Sequence, residues 1–223
     1  MDYKKINYNF WQKSYYAPNV ESYIFRFYGY YLKKKKIKTI LDFGCGQGAA
    51  TNFFNKKKIK TFGVDISKVD INNAKKKYKE YKNNFVHINS IEDLNVKLDK
   101  KYDVIIAGQS LYYLNNDDLN KVLNILSNCL KNKGMIFASM ISTKSTLFKK
   151  SQNILTQKGG GLREVKADNI RKYQKHFINF TKDYSDLSKK FKIFKKLYLG
   201  YYSICFDKNN DFNHHYTFIG CKK

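Results

Sequence analysis

The feature that most constrains this chain is an alternation of short apolar runs with helical stretches between residues 38 and 140. KTILDF (38–43), KTFGVD (60–65), FVHIN (85–89), YDVIIAG (102–108) and GMIFASM (134–140) have the length and apolar character of strands. Between the second and third, residues 67–81 set Val69, Ile71, Ala74 and Tyr78 at roughly helical spacing, with Ser67 as N-cap. Between the fourth and fifth, residues 116–130 put Leu119, Val122, Leu123, Leu126 and Leu130 on one face. Asp117 and Asp118 fall in the first turn, where the helix dipole favours negative charge. Strands alternating with helices predict βαβ units and a parallel sheet, and the unbroken apolar run at 102–108 predicts burial on both of its faces.

The two ends read differently. Residues 1–36 are crowded with aromatic side chains and finish in four lysines, which suggests a helical cap. Residues 142–190 are polar and show no strong period until TKDYSDLSKKF, so they are expected to form a lid or acceptor region. Residues 191–223 read as a closing β-hairpin. We therefore expect a single domain over 1–223 with a cofactor-binding core at 38–140. No internal repeat or second domain is evident.

Charge narrows the field less than its size suggests. The 223 residues carry a formal net charge of +25, the footprint of a nucleic-acid binder when it is gathered in one patch. Here 40 lysines face only three arginines, and they run along nearly the whole length. Readers of bases and phosphates lean on the forked guanidinium instead. The N-terminus has no apolar leader, and no stretch approaches the roughly 18 apolar residues of a membrane span. Four scattered cysteines, with no CxxC and no metal spacing, suit reduced thiols, a cytoplasmic location and no metal site.

The chemistry concentrates at Asp42, Gly44, Gly46, Gly48 and Asp65. A strand that ends in a glycine-rich turn and re-enters a helix brings bare backbone N–H groups to a ligand. An acid about 20 residues on, at the end of the next strand, can accept both hydroxyls of a ribose. A plain tight turn would not need three alternate glycines and that acid. A dinucleotide fold would tolerate Ala49 at the sixth position, but Asp42 before the turn would repel a pyrophosphate. A cofactor with a cationic amino group and a sulfonium would be drawn to it.

At this point the chain resembles the class I S-adenosylmethionine-dependent methyltransferases, in their small-molecule branch. LDFGCGQGAAT (41–51) is similar to their motif I, GVDIS (63–67) with Ala74 to motif II, NSIEDL (89–94) to motif III and YDVIIAGQSLYYL (102–114) to motif IV. LKNKGMIFAS (130–139) is similar to the segment leading into the fifth strand. The resemblance implies an α/β, Rossmann-like, doubly wound seven-stranded sheet, mostly parallel with an antiparallel last strand. It implies S-adenosyl-L-methionine as cofactor. By position, Gly44, Cys45, Gly46 and Gly48 would line its methionine part. Asp42 would meet its amino group directly or through water, Asp65 and Ile66 its ribose, and Ser90, Ile91 and Glu92 its adenine. Ser90 stands where the family usually has an aspartate. Ala107, Gly108 and Gln109 would lie beside the reacting methyl.

The acceptor is narrowed mainly by elimination. With one proline in the chain, at Pro18, the Pro-Pro-Tyr signature of many amino-methylating enzymes is absent, and no cysteine sits where a pyrimidine carbon methyltransferase needs one. We expect a small polar acceptor, with oxygen on a sugar, sugar phosphate or related phosphorylated metabolite slightly ahead of nitrogen. A hydroxyl needs a base, and His176, His214 and His215 are the candidates. Trp11, Tyr15, Tyr16, Tyr112 and Tyr113 are candidate pocket walls, and Arg26 a candidate partner for a carboxylate. The alternatives are methylation of structured RNA, or a cofactor-binding subunit without catalysis.

Overall fold

A computed structural model describes residues 2–12, 19–98, 101–153, 160–166, 175–203 and 214–223. The five expected strands are β1 (Thr39–Phe43), β2 (Lys60–Asp65), β3 (Phe85–His87), β4 (Tyr102–Ala107) and β5 (Leu130–Ile141). They pair in parallel, and β9 (Phe194–Tyr202) and β10 (His215–Lys222) complete a seven-stranded sheet in the order β3-β2-β1-β4-β5-β10-β9. The last strand, β10, runs antiparallel to both β5 and β9. Strand order reverses between β1 and β4, and at such a reversal the carboxyl ends of the strands open a crevice for ligands.

Both faces of the sheet are covered, which explains the unbroken apolar runs. Leu41 and Ile105 point into one core with Leu123 and Leu126 of α6 (Asn116–Cys129). Their neighbours Ile40, Val104 and Ile106 point into the other, with Ile24 and Phe27 of α2 (Ser22–Phe27) and Phe54 of α3 (Ala49–Lys56). Side chains alternate across a strand, so a strand buried on both sides shows no polar beat. The helices start where their caps dictate. Ser67 accepts the Asp70 N–H at the head of α4 (Lys68–Lys77), and Asn115 accepts the Asp118 N–H at the head of α6. Strand β5 begins at Leu130 rather than Gly134, because Lys133 takes a positive φ of 62° and the ladder to β4 slips between Tyr102 and Val104.

The polar stretch after β5 is more ordered than its sequence suggests. Beyond α7 (Thr146–Lys149), β6 (Ser151–Asn153), β7 (Leu162–Lys166) and β8 (Lys175–Asn179) form a second, antiparallel sheet, followed by α8 (Tyr184–Lys190). Its period was hidden because successive residues of β8 are buried on opposite sides. Phe177 packs on Tyr3 and Leu162, while Ile178 joins the main core.

The N-terminal helix α1 (Tyr3–Gln12) roofs the space between the two sheets. The Tyr3 hydroxyl donates to Asp118, Gln12 donates to the Ile66 carbonyl, and the Ser67 hydroxyl donates to the Trp11 carbonyl. Buried Asn7 makes the central tie. Its amide donates to the carbonyls of Tyr113 at 3.0 Å and Phe177 at 3.1 Å, and its oxygen accepts the Phe177 N–H at 2.8 Å. Asn7→Ala leaves those backbone groups without their partner and should cost about 2 kcal/mol. Urea titration checks the loss, and the emission of Trp11, the single tryptophan, should shift to the red as α1 loosens.

Candidate active site

The turn after β1 is built to bring backbone close to a ligand. Gly44 and Cys45 donate their N–H groups to the Val64 carbonyl at 2.8 and 3.1 Å, which ties the turn to the end of β2. Gly44 has φ +71°, and a Cβ there would lie 2.3 Å from the Ser110 Cβ. Gly46 has φ +51°, and a Cβ there would project into open space at the cavity lining. Gly48 serves packing instead: it caps α3, and a Cβ would lie 2.3 Å from the Phe85 ring.

Asp65 ends β2 and holds the turn in place. One carboxylate oxygen accepts the Gly46 N–H and the other the Ser67 N–H, each at 2.7 Å. The carboxylate keeps acceptor capacity beyond its backbone donors, and the residue lines the cavity. Asp42 behaves differently from expectation. It is buried at 4% exposure, accepts the Thr51 hydroxyl at 2.7 Å and is not part of the lining. Its charge reaches the cavity only through space.

Around these residues lies a cavity of about 1380 Å³, closed above by α1 and at the far end by the small sheet. Cys45, Ile66, Gly108 and Gln109 line it, as do Ser90, Ile91 and Glu92 at the start of α5 (Ile91–Lys97). The Ser90 hydroxyl accepts the Asp93 N–H and so acts first as a helix cap. Trp11, Tyr113 and His176 line the end next to the small sheet, with Trp11 edge-on to Tyr113 at 5.0 Å and His176 stacked on Phe10 at 4.3 Å. The open Cβ position at Gly46, the spare lone pairs of Asp65 and the volume together fit the nucleoside cofactor that the motifs imply.

Several expected residues lie elsewhere. His214 and His215 are buried at the start of β10, stacked on Tyr201 and Tyr202 at 5.2 and 5.0 Å, and neither lines the cavity. The antiparallel register carries them into the sheet instead of over its edge. Tyr112 is buried against His215, so of the neighbouring pair only Tyr113 faces the cavity. Ala107 is wholly buried within β4. Arg26 is exposed on α2, away from the lining, because Ile24 and Phe27 occupy that helix's inner face. Tyr15 and Tyr16 lie outside the described residues. Sequence reasoning missed Asn7 and Tyr23. The Tyr23 hydroxyl would lie 2.6 Å from a Cβ on Gly108, so the lone glycine after β4 was the only trace of it.

Burial sets the electrostatics. Asp42 and Asp65 are both pushed up to about 6, chiefly by desolvation, against the hydrogen bonds that favour the charged form. An acid raised in the folded state stabilises the fold most below its unfolded value, and that contribution is lost as pH rises through the folded value. In the ligand-free protein these carboxyls therefore favour folding below about pH 4 and cease to above pH 6. Carbon-detected NMR titration should find two aspartates with midpoints near 6. Asp103, where Lys131 and the N–H groups of Lys38 and Thr39 outweigh partial burial, should titrate below the ordinary carboxylate range.

Residues 34–194, more than half of the chain, match the methyltransferase domain family. The mRNA cap guanine-N(7) methyltransferase of Schizosaccharomyces pombe is 28% identical over 112 residues, which is 45% of this chain and 31% of that protein's length. This chain thus spans under a third of that relative. A solved S-adenosylmethionine-dependent methyltransferase from Methanosarcina mazei superposes with TM-score 0.67 at 15% identity, covering 92% of this chain and 99% of its own. Magnesium protoporphyrin IX methyltransferase from Synechocystis PCC 6803, solved with bound S-adenosylhomocysteine, gives 0.64 at 16% identity, covering 99% and 97%. At these identities the likeness of the structures speaks for the fold, and the match along the sequence speaks for the family. The chain belongs to the methyltransferase domain family, and its fold is the class I methyltransferase fold.

Proposed function

We propose that this enzyme methylates a small acceptor bearing an anionic group, held in the half of the cavity between α1 and the small sheet. The observation that carries this reading is the lining there. Trp11, Tyr113 and His176 supply flat apolar walls, and Lys150 and Lys166 supply positive charge. A concave pocket with such walls suits a small metabolite. Oxygen as the accepting atom drew on three histidines, and with His214 and His215 in the sheet only His176 remains to support it.

On this reading Asp65 receives the ribose hydroxyls, the backbone of the glycine turn lies against the methionine part, and Ile91 and Glu92 flank the adenine. When bound, S-adenosylmethionine supplies a methyl group made electrophilic by its sulfonium. The protein's task is then alignment, because a displacement of this type needs the acceptor atom held about 3 Å away and in line.

Calorimetric titration tests the cofactor half. Wild type should bind S-adenosylmethionine and S-adenosylhomocysteine, and Asp65→Ala should weaken both by about tenfold or more, the loss of a charge-assisted hydrogen-bond pair. Wild-type affinity should also fall as pH drops through 6, since protonated Asp65 has lost its charge. The net charge of +25 favours a second reading, an RNA acceptor. Filter binding of RNA at rising salt separates the two. Retention that vanishes by about 0.3 M salt is counterion release alone, and we expect that result, with cofactor affinity unchanged over the same range.

A further inference from the structure

At the carboxyl end of β4, Gln109 has φ +56°, a left-handed conformation that a residue with a Cβ keeps only where its surroundings hold it. Two hydroxyls from other strands do so. The Gln109 N–H donates to the Ser139 hydroxyl of β5 at 2.8 Å, and its side-chain amide donates to the Tyr202 hydroxyl of β9 at 3.1 Å. Tyr202 donates its own proton to the same Ser139 oxygen at 3.4 Å. Ser139 is wholly buried, and the Tyr202 ring is clamped between Tyr23 at 4.6 Å and His215 at 5.0 Å.

The hydrogen bonds around Tyr202 set the amide. Tyr202 directs its proton to Ser139 and accepts from the Gln109 side chain. The NH2 group is thus turned towards Tyr202, and Oε1 is left as the outward atom of a side chain that lines the cavity. Oε1 accepts no hydrogen bond from the described residues. The next residue, Ser110, donates to the Phe43 carbonyl at 3.0 Å and touches Gly44, so Oε1 belongs to the cofactor end of the cavity, beside the glycine turn.

We propose that Tyr202 is a positioning residue. It orients the Gln109 amide so that Oε1 receives an N–H at the place where the methyl group is transferred, which marks the acceptor atom as an amine nitrogen. A neutral amide orients a proton that it cannot remove. An amine needs no removal beforehand: its lone pair forms the new C–N bond, the S–C bond breaks with its electrons kept by sulfur, and the extra proton leaves to water. A hydroxyl held the same way would still need a base. The buried histidine stacked on Tyr202 keeps that ring in place and takes no part in the chemistry.

The inference rests on the methyltransferase reading, and the test separates the two. The probe is sinefungin, a cofactor analogue carrying an amino group where S-adenosylmethionine carries its methylated sulfur. Both are cationic there, and only sinefungin offers N–H. By calorimetry, wild type should prefer sinefungin to S-adenosylmethionine by about tenfold, the order expected for a hydrogen bond from a charged donor. Tyr202→Phe keeps the stacked ring and removes the hydroxyl; it should reduce the preference below about threefold while S-adenosylhomocysteine binds within about twofold of wild type. Gln109→Asn tolerates the left-handed backbone but cannot reach Tyr202, and should show the same loss. A wild type without the preference, or either folded variant that keeps it, overturns the proposal. A wild type that binds none of the three ligands overturns the methyltransferase reading instead.

Discussion

Much of the cofactor end of this molecule depends on one carboxylate that is hydrogen-bonded on both oxygens and yet not saturated. Asp65 ties the glycine turn through Gly46 and the entrance of α4 through Ser67. Without that tie the middle of the turn after β1 would lose its link to the end of β2, leaving the bonds of Gly44 and Cys45 to the Val64 carbonyl and of Gly48 to Cys45 at its two ends. Taking the carboxylate out of water opposes its charge, and its backbone donors offset only part of that effect, so its pKa sits near 6. An anion placed this way awaits polar partners, and its remaining lone pairs face the cavity. Asp42, buried and bonded to Thr51, adds negative potential without offering a contact.

The second organising contact is Asn7. Its single side chain joins α1 to the turn after β4 and to β8, so the roof, the floor and the far wall of the cavity move together. The same helix reaches Ile66 and Ser67 through Gln12 and Trp11, beside Asp65. Cofactor end and acceptor end are therefore two ends of one space bridged by one helix.

The fold was legible because buried strands and amphipathic helices leave periodic traces within a few residues. The glycine turn and Asp65 were legible for a similar reason: close approach of backbone to a ligand demands residues without a Cβ, and these sit in one local run. The acceptor end left no such trace. Three histidines looked equivalent along the chain, yet the pairing of β10 with β5 and β9 buries two of them, while the small sheet turns the third, His176, onto the cavity. Arg26 and Tyr112 misled for the same reason, since a one-residue rotation on a helix or turn decides between core, cavity and solvent.

By itself, then, the order of residues determined the parallel sheet and the glycine turn with its acid at the sheet's carboxyl edge. These follow from local rules of burial, turn geometry and charge. Only the tertiary structure decided which other side chains share the cavity. Asn7, Trp11, Gln109 and His176 are far apart along the chain and line it together through strand register and the docking of α1. The direction in which the Gln109 amide points is of that kind too. It depends on hydrogen bonds across β4, β5 and β9, and no stretch of sequence contains all three.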